Sequence, residues 1–109
     1  MATTFKNKNV VQVGLLPVEI LSTTAAQRAT IVGMSLTNLT DSFVYVSVLI
    51  DDDTSVQGHY MKDVLLPANT SLRAVNGGEK LILAPSNKLS VKASITDSVD
   101  VLLSYVEIT

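Results

Sequence analysis

Residues 89–95 read Leu89-Ser90-Val91-Lys92-Ala93-Ser94-Ile95. In an extended chain successive side chains point to opposite faces. Leu89, Val91, Ala93 and Ile95 therefore line one side, and Ser90, Lys92 and Ser94 the other. Alternation of this kind marks a strand of an antiparallel sheet with one dry and one wet face.

Working outward, further strand-sized apolar runs recur with turn residues between them. Pro85-Ser86-Asn87 separates the first run from Lys80–Leu83, and Val99–Ile108 follows it. Upstream lies Ser71–Val75, joined to Lys80–Leu83 through Asn76-Gly77-Gly78. Asn-Gly and Gly-Gly pairs supply the positive φ that tight hairpin turns need. Earlier come Val56–Val64, Phe43–Ile50 and Ala29–Thr37, the last with Gly33 as a bulge or close-packing point. The first runs are Val18–Leu21, opened by Pro17, and Val10–Val13, broken by Gly14. Asn38–Asp41, Asp51–Thr54 and Pro67–Asn69 read as turns. Helical spacing is nearly absent; Ala25-Ala26-Gln27-Arg28 suits one turn. The pattern predicts an all-β, antiparallel β-sandwich of eight or nine strands, jelly-roll-like. Periodicity does not encode strand order, so an immunoglobulin-like sandwich remains open. Residues 1–8 are polar and aperiodic and read as a flexible N-terminal arm, with residues 9–109 forming a single β-sandwich domain.

The composition narrows the function. The chain has 109 residues, 47% hydrophobic and only 17% charged, against a usual charged share of about 25%. A solitary domain needs a solvated skin; a subunit covered by neighbours needs less. Cysteine is absent, which excludes disulfides, thiolate metal sites and cysteine nucleophiles. The net charge is −2 and the cations are scattered, so no stripe for nucleic-acid phosphates is expected. The opening residues lack the apolar segment of a signal peptide, and no apolar run is long enough to cross a membrane as a helix.

Two strands carry apolar residues on both faces. In Phe43–Ile50, Val44, Val46, Val48 and Ile50 line one side, and Phe43, Tyr45, Ser47 and Leu49 the other. In Val99–Ile108, Val99, Val101, Leu103 and Tyr105 oppose Leu102, Val106 and Ile108. A strand in a two-layer sandwich has one dry face, so the second must meet something else. The plainer reading is that such residues tile the rim. Phe43, Tyr45, Leu49, Leu102, Val106 and Ile108, with Phe5 in the arm, are the candidate subunit-interface residues.

No catalytic, cofactor-binding or metal site emerges, and no cofactor is expected. His59 is the only histidine, with no nucleophile or orienting carboxylate beside it in sequence. Asp51-Asp52-Asp53 has carboxylates suited to a hard cation but lacks the alternate spacing and distal Glu of a calcium loop; a solvated turn explains it. Glu19, Glu79 and Glu107 stand apart. Asn38-Leu39-Thr40 and Asn69-Thr70-Ser71 match glycosylation acceptors and mark surface turns. Tyr45, Tyr60 and His59 are the residues from which a carbohydrate- or receptor-binding patch would be built, although tryptophan is absent.

Three segments together resemble a known family: Ala29-Thr30-Ile31-Val32-Gly33-Met34-Ser35-Leu36-Thr37-Asn38, then Asn76-Gly77-Gly78-Glu79-Lys80-Leu81-Ile82-Leu83, then Ser98-Val99-Asp100-Val101-Leu102-Leu103-Ser104-Tyr105-Val106-Glu107-Ile108-Thr109. In this order they resemble small virion structural proteins of tailed bacteriophages, notably phages of aquatic bacteria, cyanobacterial ones included. The resemblance spans roughly residues 10–109. It implies a β-sandwich subunit of the virion, assembled in the host cytoplasm as capsid decoration (cement) or as part of the neck, tail or fibre. The partners expected are copies of itself and other virion proteins, and the charge and hydropathy readings above predict no nucleic acid or membrane among them. It brings no catalytic residues.

Overall fold

The computed structural model describes residues 2–75 and 80–109. Nine strands follow one another among them: β1 (Thr3–Val13), β2 (Val18–Ser22), β3 (Arg28–Asn38), β4 (Val44–Asp51), β5 (Gln57–Leu66), β6 (Ser71–Val75), β7 (Leu81–Leu83), β8 (Lys88–Ala93) and β9 (Val99–Ile108). The hairpin turn expected at Asn76-Gly77-Gly78 lies outside the described residues.

The pairing is nested. The first strand pairs with the last, β2 with β8, β3 with both β6 and β7, and β4 with β5, all antiparallel. Two more pairings, β9 with β3 and β8 with β4, fuse these ribbons into two sheets. Sheet A runs β1-β9-β3-β6, with β7 also on β3, and sheet B runs β2-β8-β4-β5. This wrapped double ribbon is a jelly roll, and it decides the strand order that alternation left open.

The core forms where the apolar halves of the two sheets meet. Val44, Val46, Val48, Leu89 and Val91 of sheet B face Ile31, Leu36, Val101 and Leu103 of sheet A, all of them 0–1% exposed. Tyr105 and Val99 join them. Alternation therefore places the dry faces of β4, β8 and β9 as read from the sequence. Removing each such Val, Leu or Ile from water contributes roughly 1.5–3 kcal/mol.

Two local devices shape the sheets. At Gly33 the β3–β9 register slips between Ile31 and Gly33, so the expected bulge is there; a Cβ at this site would meet only Ser104 Cβ at 3.9 Å, so close packing is not what requires glycine. Gly14 is different. A Cβ there would come within 3.1 Å of the Asp97 nitrogen and 3.3 Å of Thr96 Cα, so the backbone itself fills the space a side chain needs.

Four expectations change. Residues 3–8, read as a loose arm, belong to β1 and pair in register with β9, Thr3 opposite Ile108 through Lys8 opposite Leu103; their lack of an apolar face fits a strand that no second layer covers. Ile95 lies beyond the end of β8. Ser90, on the side read as wet, is buried because it sits between Glu19 of β2 and Leu49 of β4 in the middle of sheet B. Asn38, read as part of a surface acceptor, is 1% exposed. Its Nδ2 donates to the carbonyls of Ser42, Leu66 and Pro67, and its Oδ1 accepts from the Thr40 N–H and hydroxyl. The amide ties the end of β3 to the end of β5 and is closed to modification.

Candidate assembly surfaces

The outer face of sheet A is built from the residues that point away from the core on its five strands. Register fixes the rows. Phe5 of β1 stands beside Val106 of β9, which stands beside Thr30 of β3, which stands beside Ile82 of β7. Two residues along, Asn7, Ser104 and Gly33 form the next row, and beyond it Asn9, Leu102, Ser35 and Arg73. The middle row has short side chains, so the face is dished. One depression of about 330 Å³ lies among Leu102, Ser104, Gly33, Ser35 and Arg73. Its neighbour lies among Phe5, Asn7, Val32 and Ser104. Phe5 is 82% exposed, Ile82 67% and Leu102 46%. Val106 and Ile108 are half-buried on the same face. Four of the expected interface residues, Phe5, Leu102, Val106 and Ile108, are thus brought together.

A second apolar surface lies at one end of the outer face of sheet B. Phe43, just before β4, meets Tyr45 edge to face, with ring centroids 5.6 Å apart and planes at 78°. Tyr45 stands beside Leu65 of β5, and Leu15 of the β1–β2 loop shares a shallow depression with Tyr45, Asp63 and Lys92. Phe43, Tyr45, Leu65 and Leu15 are all exposed. Leu49, expected at an interface, is not available. It lies on the same outer face, but on a central strand between His59 and Ser90, and is 3% exposed.

Sequence reasoning missed Ile82 and Leu65. Each is the middle member of an apolar triplet, Leu81-Ile82-Leu83 and Val64-Leu65-Leu66. When the flanking residues of such a triplet turn inward, the middle one must turn outward; that is the signal that points to them.

The remaining candidates disperse. Tyr60 faces the opposite side of β5 from His59, since His59 pairs with outward Leu49 while the Tyr60 hydroxyl donates to the Ala74 carbonyl at 3.3 Å. Tyr45 stands six residues farther along the sheet, opposite Leu65. The three do not make one sugar-binding patch. In the acidic turn, Asp52 Oδ1 accepts from the Thr54 hydroxyl at 2.7 Å, the Thr54 N–H at 2.9 Å and the Val56 N–H at 3.0 Å. These bonds, the Thr54 hydroxyl first, hold its carboxyl below the ordinary carboxylate range. Asp51 accepts from Gln57 Nε2 at 2.9 Å. Carboxylates engaged this way build the β4–β5 turn. Glu107 pairs with Lys6 at 3.1 Å; Glu79 lies outside the described residues.

No family model matches the chain, and no curated protein matches it in sequence. Solved structures do share its fold. A subunit of the disulfide-linked pili that form Bacillus endospore appendages superposes with a TM-score of 0.55 at 9% identity, over 100% of this chain and 91% of that one. A protein of the T13 infectious bursal disease virus particle superposes with a TM-score of 0.52 at 10% identity, over 96% of this chain and 30% of that one. The Drosophila NLP core, described for pentamer formation and histone binding, gives 0.52 at 17% identity over 97% and 99%. This chain spans about 30% of the length of the viral protein. At such identities the likeness is one of fold. All three neighbours come from assemblies: a pilus, a viral particle and a pentamer.

Proposed function

We propose that this chain is a structural subunit of a virion that assembles with copies of itself, as capsid decoration or as part of the neck or tail of a tailed phage. The observation that carries this reading is the dished outer face of sheet A, where Phe5 and Ile82 stand exposed in one row and Leu102 in the row on the far side of the depression. Covering the exposed parts of these three side chains contributes at most roughly 1.5–3 kcal/mol each, which offsets part of the cost of association. The second apolar surface, at Phe43, Tyr45, Leu65 and Leu15, lies on the opposite sheet. Distinct contact surfaces on opposite faces favour head-to-tail contacts, which close into rings or extend as filaments.

Three kinds of support converge: a low charged share for the chain's size, the sequence resemblance to small phage virion proteins, and fold neighbours drawn from assemblies. The reading is of a non-enzymatic protein whose partners are proteins.

Sedimentation velocity of the purified chain tests it. An oligomer at micromolar concentration is expected, converted to folded monomer by Leu102→Asp. A monomer that stays monomeric as concentration rises, unchanged by Leu102→Asp, overturns it. Electron microscopy of the source particle, asking whether the chain is present there in many copies, separates a virion role from assembly of another kind.

A further inference from the structure

We infer that the free edge of β1 takes up an extended, carboxylate-bearing strand from a partner protein. This is independent of the assembly surfaces above.

Sheets usually manage their open edges by shortness, bulges or charge. Among the described residues, β2 and β6 have five residues each and β7 three. The β5 edge has ten, but its register breaks twice, with a left-handed Asp63 at one of the breaks. β1 alone is long and regular, in unbroken register with β9 from Thr3 to Val10. The Ala2 and Thr109 backbones exchange both hydrogen bonds, at 3.1 and 2.9 Å. By antiparallel alternation, Thr4, Lys6, Lys8 and Val10 then bond to β9, while the N–H and C=O groups of Thr3, Phe5, Asn7 and Asn9 point to the open edge. Residues 3–9 are exposed on both faces.

Charge selects the occupant. Lys6 and Lys8 share the face opposite Phe5; Lys6 meets Glu107, and Lys8 has no carboxylate partner among the described residues. A second copy joined antiparallel on this edge, in registers centred on Lys6, Asn7 or Lys8, sets lysine against lysine, which is destabilising. A strand with carboxylates at alternate positions places them beside these ammonium groups, and its other side chains extend the Phe5 row. This is strand addition, in which main-chain bonds give affinity and alternate side chains give selectivity.

The test is fluorescence anisotropy with labelled peptides about eight residues long, the span of an ordinary strand, one alternating Val and Glu and the other Val and Lys. The Val–Glu probe is expected to bind, more weakly as salt rises, and the Val–Lys probe not to bind. Asn7→Pro removes a donor that faces the open edge and none that β9 uses, so it is expected to weaken binding by about tenfold. In the unsubstituted protein the probe is expected to slow amide exchange at Phe5, Asn7 and Asn9. Lys6→Glu with Lys8→Glu is expected to reverse the preference. Equal binding of both probes, no binding of either, or binding without slowed exchange at those three amides overturns the inference. The sedimentation result without probe reads the assembly proposal separately.

Discussion

The Ser47 hydroxyl and Asp63, through its main-chain N–H and its carboxylate, hold each other between β4 and β5. The Asp63 N–H donates to Ser47 Oγ at 3.0 Å, and Ser47 Oγ–H donates to Asp63 Oδ1 at 3.3 Å. Asp63 is left-handed, with φ 48°, at the point where β5 slips against β4. A buried serine thus satisfies the amide that the slip removes from the ladder. Ser47→Ala is expected to cost about 1–3 kcal/mol, because it leaves that donor unmet. Urea denaturation measures the loss, and faster exchange of the Asp63 amide locates it.

Asn38 is the most connected polar side chain described, with three carbonyls on its amide nitrogen and two donors on its oxygen. Asn38→Ala is expected to destabilise by about 2–4 kcal/mol. Asn38→Asp is expected to be at least as harmful at neutral pH, since a carboxylate oxygen would face the three carbonyls. The damage should shrink in acid, when the carboxyl regains a proton to donate. Thermal melting of both variants at two pH values checks the sign.

Leu102 and Leu103 are adjacent and have opposite fates: Leu103 is fully buried and Leu102 is 46% exposed. Leu103→Ala is expected to cost about 2–5 kcal/mol, whereas Leu102→Ala should stay within about 0.5 kcal/mol under conditions where the chain is monomeric. Chemical denaturation of the pair decides this. Similar losses for both would contradict the assignment of faces on β9.

Asp52 is held below the ordinary carboxylate range by its bonds to Thr54 and Val56. A group depressed by folding gives its full stability above its unfolded value and loses it as pH falls through the folded value. Stability is therefore expected to decline below the ordinary carboxylate range, with the β4–β5 turn loosening first. Asp52→Asn should flatten that decline. Melting curves of both proteins across the acidic range provide the check.

Most of the architecture was legible because alternation reports burial directly. Val44, Val46 and Val48 on β4, and Val99, Val101 and Leu103 on β9, went to the core as their spacing dictates. Leu102, Val106 and Ile108 kept to the outer face for the same reason. Strand order was not legible, since pairing depends on which dry faces meet. Leu49 shows a second limit: period two assigns a face but not its cover, and a central position flanked by a strand on either side dries out. Residues 3–8 show a third, because an edge strand without a covering layer has no apolar face to announce it.

The nested pairing sets the order in which the protein can become whole. β9 occupies the middle of sheet A, between β1 and β3, yet it is translated after both. Until it arrives, β1 has no strand to pair with, and a gap stands beside β3 where Val101, Leu103 and Tyr105 belong. Closing that gap joins partners separated by nearly the whole sequence, the kind of pairing that folds slowly. A frameshift or stop within β9 would therefore strike the middle of the structure and yield an adhesive fragment in place of a trimmed but working protein.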